Sequence, residues 1–393
     1  MVDENTKLYL GQGAWHRSFS IDYSELLSKH LLIMGQTGSG KSTSAKQIIN
    51  ELQKNNVTNM VFDPTGEYSR DLDNRVTYKI GQNAFIDIRS LSAEEITNLL
   101  GLNWDSELTT KLQSAIISLR IQAMKNPYSR ELYSKVNRPV AEFEESEKAL
   151  TILNQNYAIG LLAKQLVQEF VLPFTDERAD YSVLGQELDR ARIQQYWPQI
   201  QELEQLLVDD TLNRIFHFKP VESKMTQYDL PFILKTFEGK VNQKRSLIID
   251  LSALQVYPAV QKRLLSFLMD TILLNRLKSR MALPVAIFLD EAHRYIPVDQ
   301  PINENGLFHL LREGRKVNLN VAISTQSMQD LPEALQGQFA RTLIHRYQAT
   351  NDLQDFMLSR RLLKKLPQLA VGQALLLGDG KSSFLSVQKP GSM

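Results

Sequence analysis

The string GQTGSGKS at residues 35–42 satisfies the spacing G-x-x-x-x-G-K-[ST] in full, and that spacing belongs to phosphate chemistry. Gly35, Gly38 and Gly40 allow backbone N–H groups to turn toward a phosphate with no side chain in the way, and Gln36, Thr37 and Ser39 complete the loop. Lys41 is placed to hold β- and γ-phosphates, Ser42 to ligate Mg²⁺, and Thr43 to add a contact at the α-phosphate. The expected ligands are therefore ATP and Mg²⁺. A glycine-rich turn that binds nothing would lack the strand before it and the helix after it, and both are written here.

Such a loop needs an acidic counterpart. The run VAIFL ends at Asp290-Glu291, as an apolar strand delivering two acids to the carboxyl edge of a sheet would. Asp290 is expected to hold Mg²⁺ and Glu291 to orient and polarise an attacking water. A third run, NVAIS, ends in Thr325-Gln326, where Gln326 could contact the γ-phosphate or merely close the strand. Asp63 and Glu67 lie in FDPTGEYS, also at a strand end, so either acid could face the nucleotide; the tight turn at Pro64 and Gly66 explains the same composition equally well. In LLREGRK, Arg312 and Arg315 stand three apart on an expected helix. They could reach a phosphate in a neighbouring subunit, although surface pairing with Glu304 or Glu313 is the reading that side-chain chemistry alone favours. The six histidines show no metal-ligand spacing; His293, close behind the acid pair, is expected to be structural.

The elements that must position these residues are legible. HLLIM, ending at a glycine, reads as a buried strand, residues 42–54 as an amphipathic helix, and residues 59–62 as the next strand. Together they make the βαβ unit of a doubly wound α/β fold. From residue 92 to 244 the pattern turns helical, charged and glutamine-rich, with prolines at 127, 139, 173 and 198. Strand signals return at SLIIDL, VAIFL and NVAIS, with a helix over residues 259–280 between the first two. Further strands are expected at 341–347, 373–377 and 383–387. The expected architecture is a RecA-like α/β ATPase domain, residues 26–91 and 245–393, with a mainly parallel sheet, interrupted by a mostly helical insertion at 92–244 and preceded by a short segment, 1–25.

The absence of cysteine excludes disulfide frameworks, cysteine-ligated zinc and thiol catalysis. An acidic, polar N-terminus is unlike a signal peptide, and no apolar run approaches the ~20 residues of a spanning helix, so a cytoplasmic protein with no membrane partner is expected. A net charge of +1 makes the whole chain no electrostatic magnet for nucleic acid, but a channel wall needs only local positive charge.

Taken together, GQTGSGKS, VFDPTGEYS, IFLDEAHRYIP, LREGRK, AISTQSMQDLPEALQGQFARTLIHR and GQALLLG resemble the HerA family of the HerA–FtsK ATPases, over roughly residues 26–81 and 246–388. The resemblance implies a homohexameric ring with ATP at subunit interfaces and double-stranded DNA threaded through the centre. It also implies an arginine finger from the LREGRK segment, Arg315 and less firmly Arg312, with Arg346 as another interface arginine. ATP-driven DNA translocation or unwinding with a partner nuclease, in end processing or antiphage defence, is the activity implied; a nucleotide-gated ring that assembles an effector enzyme without translocation is the alternative. HerA proteins usually begin with a β-barrel, and the roughly 25 residues before the loop strand are expected to retain a strand or hairpin of it at most. Residues 295–306 are a candidate channel segment, though they carry no lysine or arginine. The basic pairs at 262–263 and 276–280 read as solvated helix faces.

Overall fold

The computed structural model describes residues 6–387 apart from 14, 16, 28, 129, 152–155, 222–224, 241–244, 280–282, 297–301, 350–352, 354, 355 and 357, and apart from the side chains of 293 and 303. The chain forms two compact units, residues 1–80 with 230–393, and residues 81–229.

The first unit is built on an eleven-stranded sheet. Its strands are β1 (Lys7–Gln12), β2 (Ser18–Asp22), β3 (Leu31–Met34), β4 (Thr58–Asp63), β5 (Arg75–Lys79), β6 (Ser246–Asp250), β7 (Val285–Leu289), β8 (Leu319–Thr325), β9 (Arg341–Ile344), β10 (Gln373–Gly378) and β11 (Lys381–Val387). They lie in the order β2-β1-β11-β10-β9-β3-β8-β7-β4-β6-β5. The stretch from β9 to β5 is parallel throughout, and β10, β11, β1 and β2 add an antiparallel flank. Every residue of β3, β4, β6, β7 and β8 is buried, as in strands covered on both faces, and apolar residues accordingly fill β3 and β7 and the centres of the others. The N-terminal stretch forms the β1–β2 hairpin, which joins the sheet through β11; residues 14 and 16 of its turn are outside the described residues.

Helix α1 (Lys41–Lys54) lays Ala45, Ile48, Ile49 and Leu52 on one face of the sheet, in a core shared with Leu31, Ile33, Ala322, Leu343, Ala374, Leu376 and Leu385. The chain then passes from β3 across β8 and β7 to β4. This change of direction opens the carboxyl edge of the sheet to a ligand.

Residues 81–229 are mainly helical, with α2 (Ser106–Lys125) and α3 (Arg190–Val208) the longest helices and two short strand pairs beside them. Pro198 lies inside α3 rather than at a boundary. Within this unit the buried Gln165 side chain exchanges hydrogen bonds with both backbone groups of Tyr133, and Lys135 pairs with the fully buried Glu169.

In the first unit, α4 (Pro258–Lys278) buries the expected stripe of Leu264, Leu265, Leu268, Ile272 and Leu273. Arg263 and Arg276 of the same helix are buried too, not solvated as read from the sequence; burial lowers the Arg276 pKa and the charge of Glu238 works against that shift. Helix α5 (Gly306–Glu313) ends one turn earlier than expected, and Gly314–Val317 continues as a 3₁₀ turn. Gly314 packs there so closely that a β-carbon would lie 3.2 Å from Leu310 and 3.3 Å from Leu319. Arg312 and Arg315 therefore sit on different elements. Among the described residues no helix is long and apolar enough to cross a membrane.

His30 fastens α5 to the sheet. Its Nε2–H donates to the Leu311 carbonyl (2.9 Å) and its Nδ1 accepts the Val321 N–H (2.9 Å). Burial pushes its pKa from 6.5 down to about 4. The folded chain thus binds fewer protons here than the unfolded chain between those values. The histidine's contribution is fully present above pH 6.5 and is lost as pH falls through 6.5 toward 4. Glu238, raised by burial to about 7, acts in the opposite direction over an overlapping range. The test is therefore differential. The melting-temperature loss from pH 7 to pH 5 is expected to be smaller by several degrees in His30→Asn than in the parent. An unchanged pH dependence would show that His30 does not titrate in this way.

Candidate nucleotide site

The phosphate loop leaves β3 and enters α1 through backbone that only glycine adopts comfortably: φ is +152° at Gly35, +74° at Gly38 and +110° at Gly40. A β-carbon at Gly35 would lie 2.6 Å from the β-carbon of His345, and one at Gly40 would lie 2.9 Å from the Gly372 nitrogen. Gly35 and Gly40 are thus required twice, by conformation and by close packing from beneath, and Gly38 by conformation alone. Ser39 closes the turn by donating from its hydroxyl to the Gln36 carbonyl (2.7 Å). The Lys41 ammonium donates to the carbonyls of Gly35 (2.8 Å) and Gln36 (3.4 Å), folded back along its own loop. Burial lowers its pKa, and the negative charges of Glu291 and Asp290 work against that shift. Thr43 follows Ser42 in the first turn of α1.

The acids arrive from β7, two strands away from β3. The Ser42 hydroxyl faces Asp290 Oδ2 at 3.5 Å. A hydroxyl and a carboxylate oxygen converging in this way are the hard donors that Mg²⁺ takes, so the pair fits that ion. Asp290 is held in turn by Ser324 of β8, whose hydroxyl donates to its Oδ1, and by the buried Tyr68 hydroxyl, which is shared with Ser42. Burial and then the Asp290 charge raise the Tyr68 pKa far above its ordinary value, so it stays a donor.

Glu291 adopts the left-handed conformation, φ +52°, which is uncommon outside glycine and costs energy. Its backbone N–H donates to Ser324 Oγ (3.2 Å) and Asp290 Oδ1 (3.1 Å), which hold it there. The result aims its carboxylate at Gln326, whose amide donates to Glu291 Oε2 at 3.3 Å. One sheet edge thus gathers Lys41, Ser42, Asp290, Glu291 and Gln326.

Asp63 lies elsewhere in this geometry. It is fully buried, and its two oxygens accept from the backbone N–H groups of Thr65 (3.1 Å), Gly66 (2.8 Å) and Tyr68 (2.8 Å) and from the Thr65 hydroxyl (3.1 Å). Its work is to hold the turn that delivers Tyr68 to Asp290, rather than to face a nucleotide. Glu67 is exposed on the same turn. Arg312 is exposed and lies over the Phe308 ring at 5.3 Å, while Arg315 is exposed on the 3₁₀ turn. Glu313 pairs with Lys316 at 2.6 Å, and among the described residues neither arginine is held in an ion pair. Arg346 contributes its carbonyl, which accepts the Gln36 N–H at 3.1 Å. The side chain of His293 and residues 297–301 of the candidate channel segment lie outside the described residues. Ser324, Tyr68 and His345 fall inside strings that carry the resemblance, but no spacing gives them a role, and their neighbours in space do.

The family described as Helicase HerA, central domain matches residues 16–272, well over half of the chain. The chain belongs to the HerA helicase family and is a P-loop ATPase. A probable DNA double-strand break repair helicase HerA from Methanocaldococcus jannaschii is 24% identical, over 94% of this chain and 73% of its own length. The DNA double-strand break repair helicase HerA of Pyrococcus furiosus is 22% identical, over 91% of this chain and 64% of its own. Among solved structures, VirB4 of Thermoanaerobacter pseudethanolicus shares the fold with a TM-score of 0.61 at 14% identity, covering 99% of this chain and 98% of that one. The mainly parallel sheet with helices packed on it is the fold shared with that structure.

Proposed function

We propose that this HerA-family ATPase is a DNA-translocating motor that works as a homohexameric ring, with ATP bound at the loop of one subunit and completed by Arg315 of the next. The observation that carries the reading is the sheet edge where Lys41, Ser42, Asp290, Glu291 and Gln326 meet, in a family whose similar members are described as DNA repair helicases. Backbone N–H groups of residues 35–42, with Lys41, bind the phosphates and neutralise their charge. Ser42 and Asp290 would hold Mg²⁺, which would supply positive charge to offset that of the phosphates. Glu291 takes a proton from the attacking water, and Gln326, bonded to Glu291, links that carboxylate to the γ-phosphate position. Loss of the γ-phosphate would change what Gln326 touches, so Gln326 can report hydrolysis to the end of β8. A nuclease or another effector is the expected partner, in DNA end processing or in defence against phage.

ATP hydrolysis should rise at least several-fold when linear duplex DNA is added at low salt, and the stimulation should weaken as salt screens the phosphate contacts. Turnover that is slow and indifferent to DNA would instead support the nucleotide-gated scaffold.

A further inference from the structure

The residue packed most closely beneath the phosphate loop is a histidine. His345 follows β9 and is fully buried. Its backbone N–H donates to the Met34 carbonyl (2.8 Å), so the ring stands directly under the start of the loop. A β-carbon at Gly35 would strike it, and one at Gly40 would approach its Cε1 to 3.5 Å. The ring bridges two elements: Nδ1 lies 3.0 Å from the Gln373 carbonyl at the start of β10, and Nε2 lies 2.9 Å from the Ser44 hydroxyl in the first turn of α1. A carbonyl can only accept, so Nδ1 carries the proton and Nε2 accepts from Ser44. The neighbouring backbone repeats the same tie, with Gln36 N–H donating to the Arg346 carbonyl (3.1 Å) and Gly372 N–H to the Ser39 carbonyl (3.0 Å). The loop is thereby stitched at Gln36 to the segment after β9 and at Ser39 to the residue that precedes β10.

We propose that His345 is a positioning residue for ATP binding: its imidazole locks the first turn of α1 to the β10 hairpin and so fixes the phosphate loop in its receptive shape. The inference rests on the reading of residues 35–42 as the ATP site. Burial supports it by holding the His345 pKa at about 4, so the ring is neutral, with one donor and one acceptor, throughout the physiological range.

Asparagine places its amide near the imidazole Nδ1 position, and glutamine places its amide near Nε2. His345→Asn therefore keeps the bond to the Gln373 carbonyl and loses Ser44, whereas His345→Gln still reaches Ser44. Equilibrium ATP binding with Mg²⁺ is the readout, beside the melting temperature of the nucleotide-free chain. Ser44→Ala and His345→Asn are each expected to weaken ATP binding about tenfold, the worth of one buried hydrogen bond. His345→Gln, which reaches Ser44 but gives up the Gln373 carbonyl, breaks the same bridge and should weaken binding to a similar degree, and the double variant His345→Asn/Ser44→Ala should be no weaker than either single one. Lys41→Ala is the control for the underlying reading. If Lys41→Ala abolishes ATP binding while Ser44→Ala and His345→Asn bind like the parent, the positioning role is overturned and the ATP site stands. If Lys41→Ala also binds normally, the site reading itself fails. Should the His345 variants not fold, Ser44→Ala decides alone, since it removes one hydroxyl and nothing else.

Discussion

Glu291→Gln is expected to lower ATP turnover by about 10²–10⁴-fold, the usual worth of a positioned general base, while ATP binding stays within about threefold of the parent. The amide keeps the size and shape of the carboxylate, so the left-handed backbone at residue 291 and its bonds to Ser324 and Asp290 should survive. It also keeps an oxygen able to accept from Gln326. What it loses is the capacity to take a proton from water. Strain at residue 291 supports placing the catalytic step there. A non-glycine residue is held at φ +52° by two hydrogen bonds, and the surrounding structure therefore specifies where that carboxylate goes. Steady-state hydrolysis beside equilibrium binding of ATP separates the two effects. Turnover retained to within tenfold would remove Glu291 from the role of base and leave it a structural acid. A parallel loss of binding would mean that the substitution had disturbed the Asp290–Ser42 pair instead.

Much of this fold is written in the chain because parallel strands covered on both faces are apolar at most central positions. LLIM, VAIFL and SLIID can be read directly for that reason, and the first two end where the glycine-rich loop and the acid pair begin. β5, RVTYK, escapes the same reading because it is an edge strand with mixed burial and no continuous apolar run. The division at residues 80–81 and 229–230 has no compositional mark either, since both sides of each join are ordinary globular sequence.

The site was legible only as far as motifs reach. Spacing identifies Lys41 and Ser42, and a strand end identifies Asp290 and Glu291. The supports are invisible to it: Ser324 looks like any strand serine, and His345 has no partner at a recognisable interval because its partners lie 301 and 28 positions away. Asp63 shows the converse difficulty. An acid at a strand end looks like a ligand, yet a carboxylate that accepts from three backbone N–H groups is engaged in its own turn.

Arg315→Ala is expected to reduce ATP turnover by about 10³-fold or more, as loss of an arginine finger does, with nucleotide binding to the isolated chain little changed. The topology supports action between subunits. The loop, Asp290–Glu291 and Gln326 all lie at the carboxyl edge of the sheet. Arg315 precedes β8, whose other end carries Gln326, so it belongs to the amino edge. The seven residues of β8 separate the two edges by about 20 Å at roughly 3.3 Å per residue. No arginine rotamer spans that distance, so Arg315 cannot serve the nucleotide of its own subunit. Its exposure and its freedom from any ion pair among the described residues leave it available to another. Arg312, stacked over Phe308, is already engaged, and Arg312→Ala should cost far less. Mixing provides the decisive measurement. Arg315→Ala carries an intact loop and acids, whereas Glu291→Gln carries an intact finger; assembled together, some interfaces join a sound finger to a sound catalytic site. Turnover by the mixture well above the sum of the two inactive proteins would establish the shared site. A mixture no more active than its components would place the function of Arg315 within one subunit, against the separation that β8 imposes, and with it the ring would lose its strongest support.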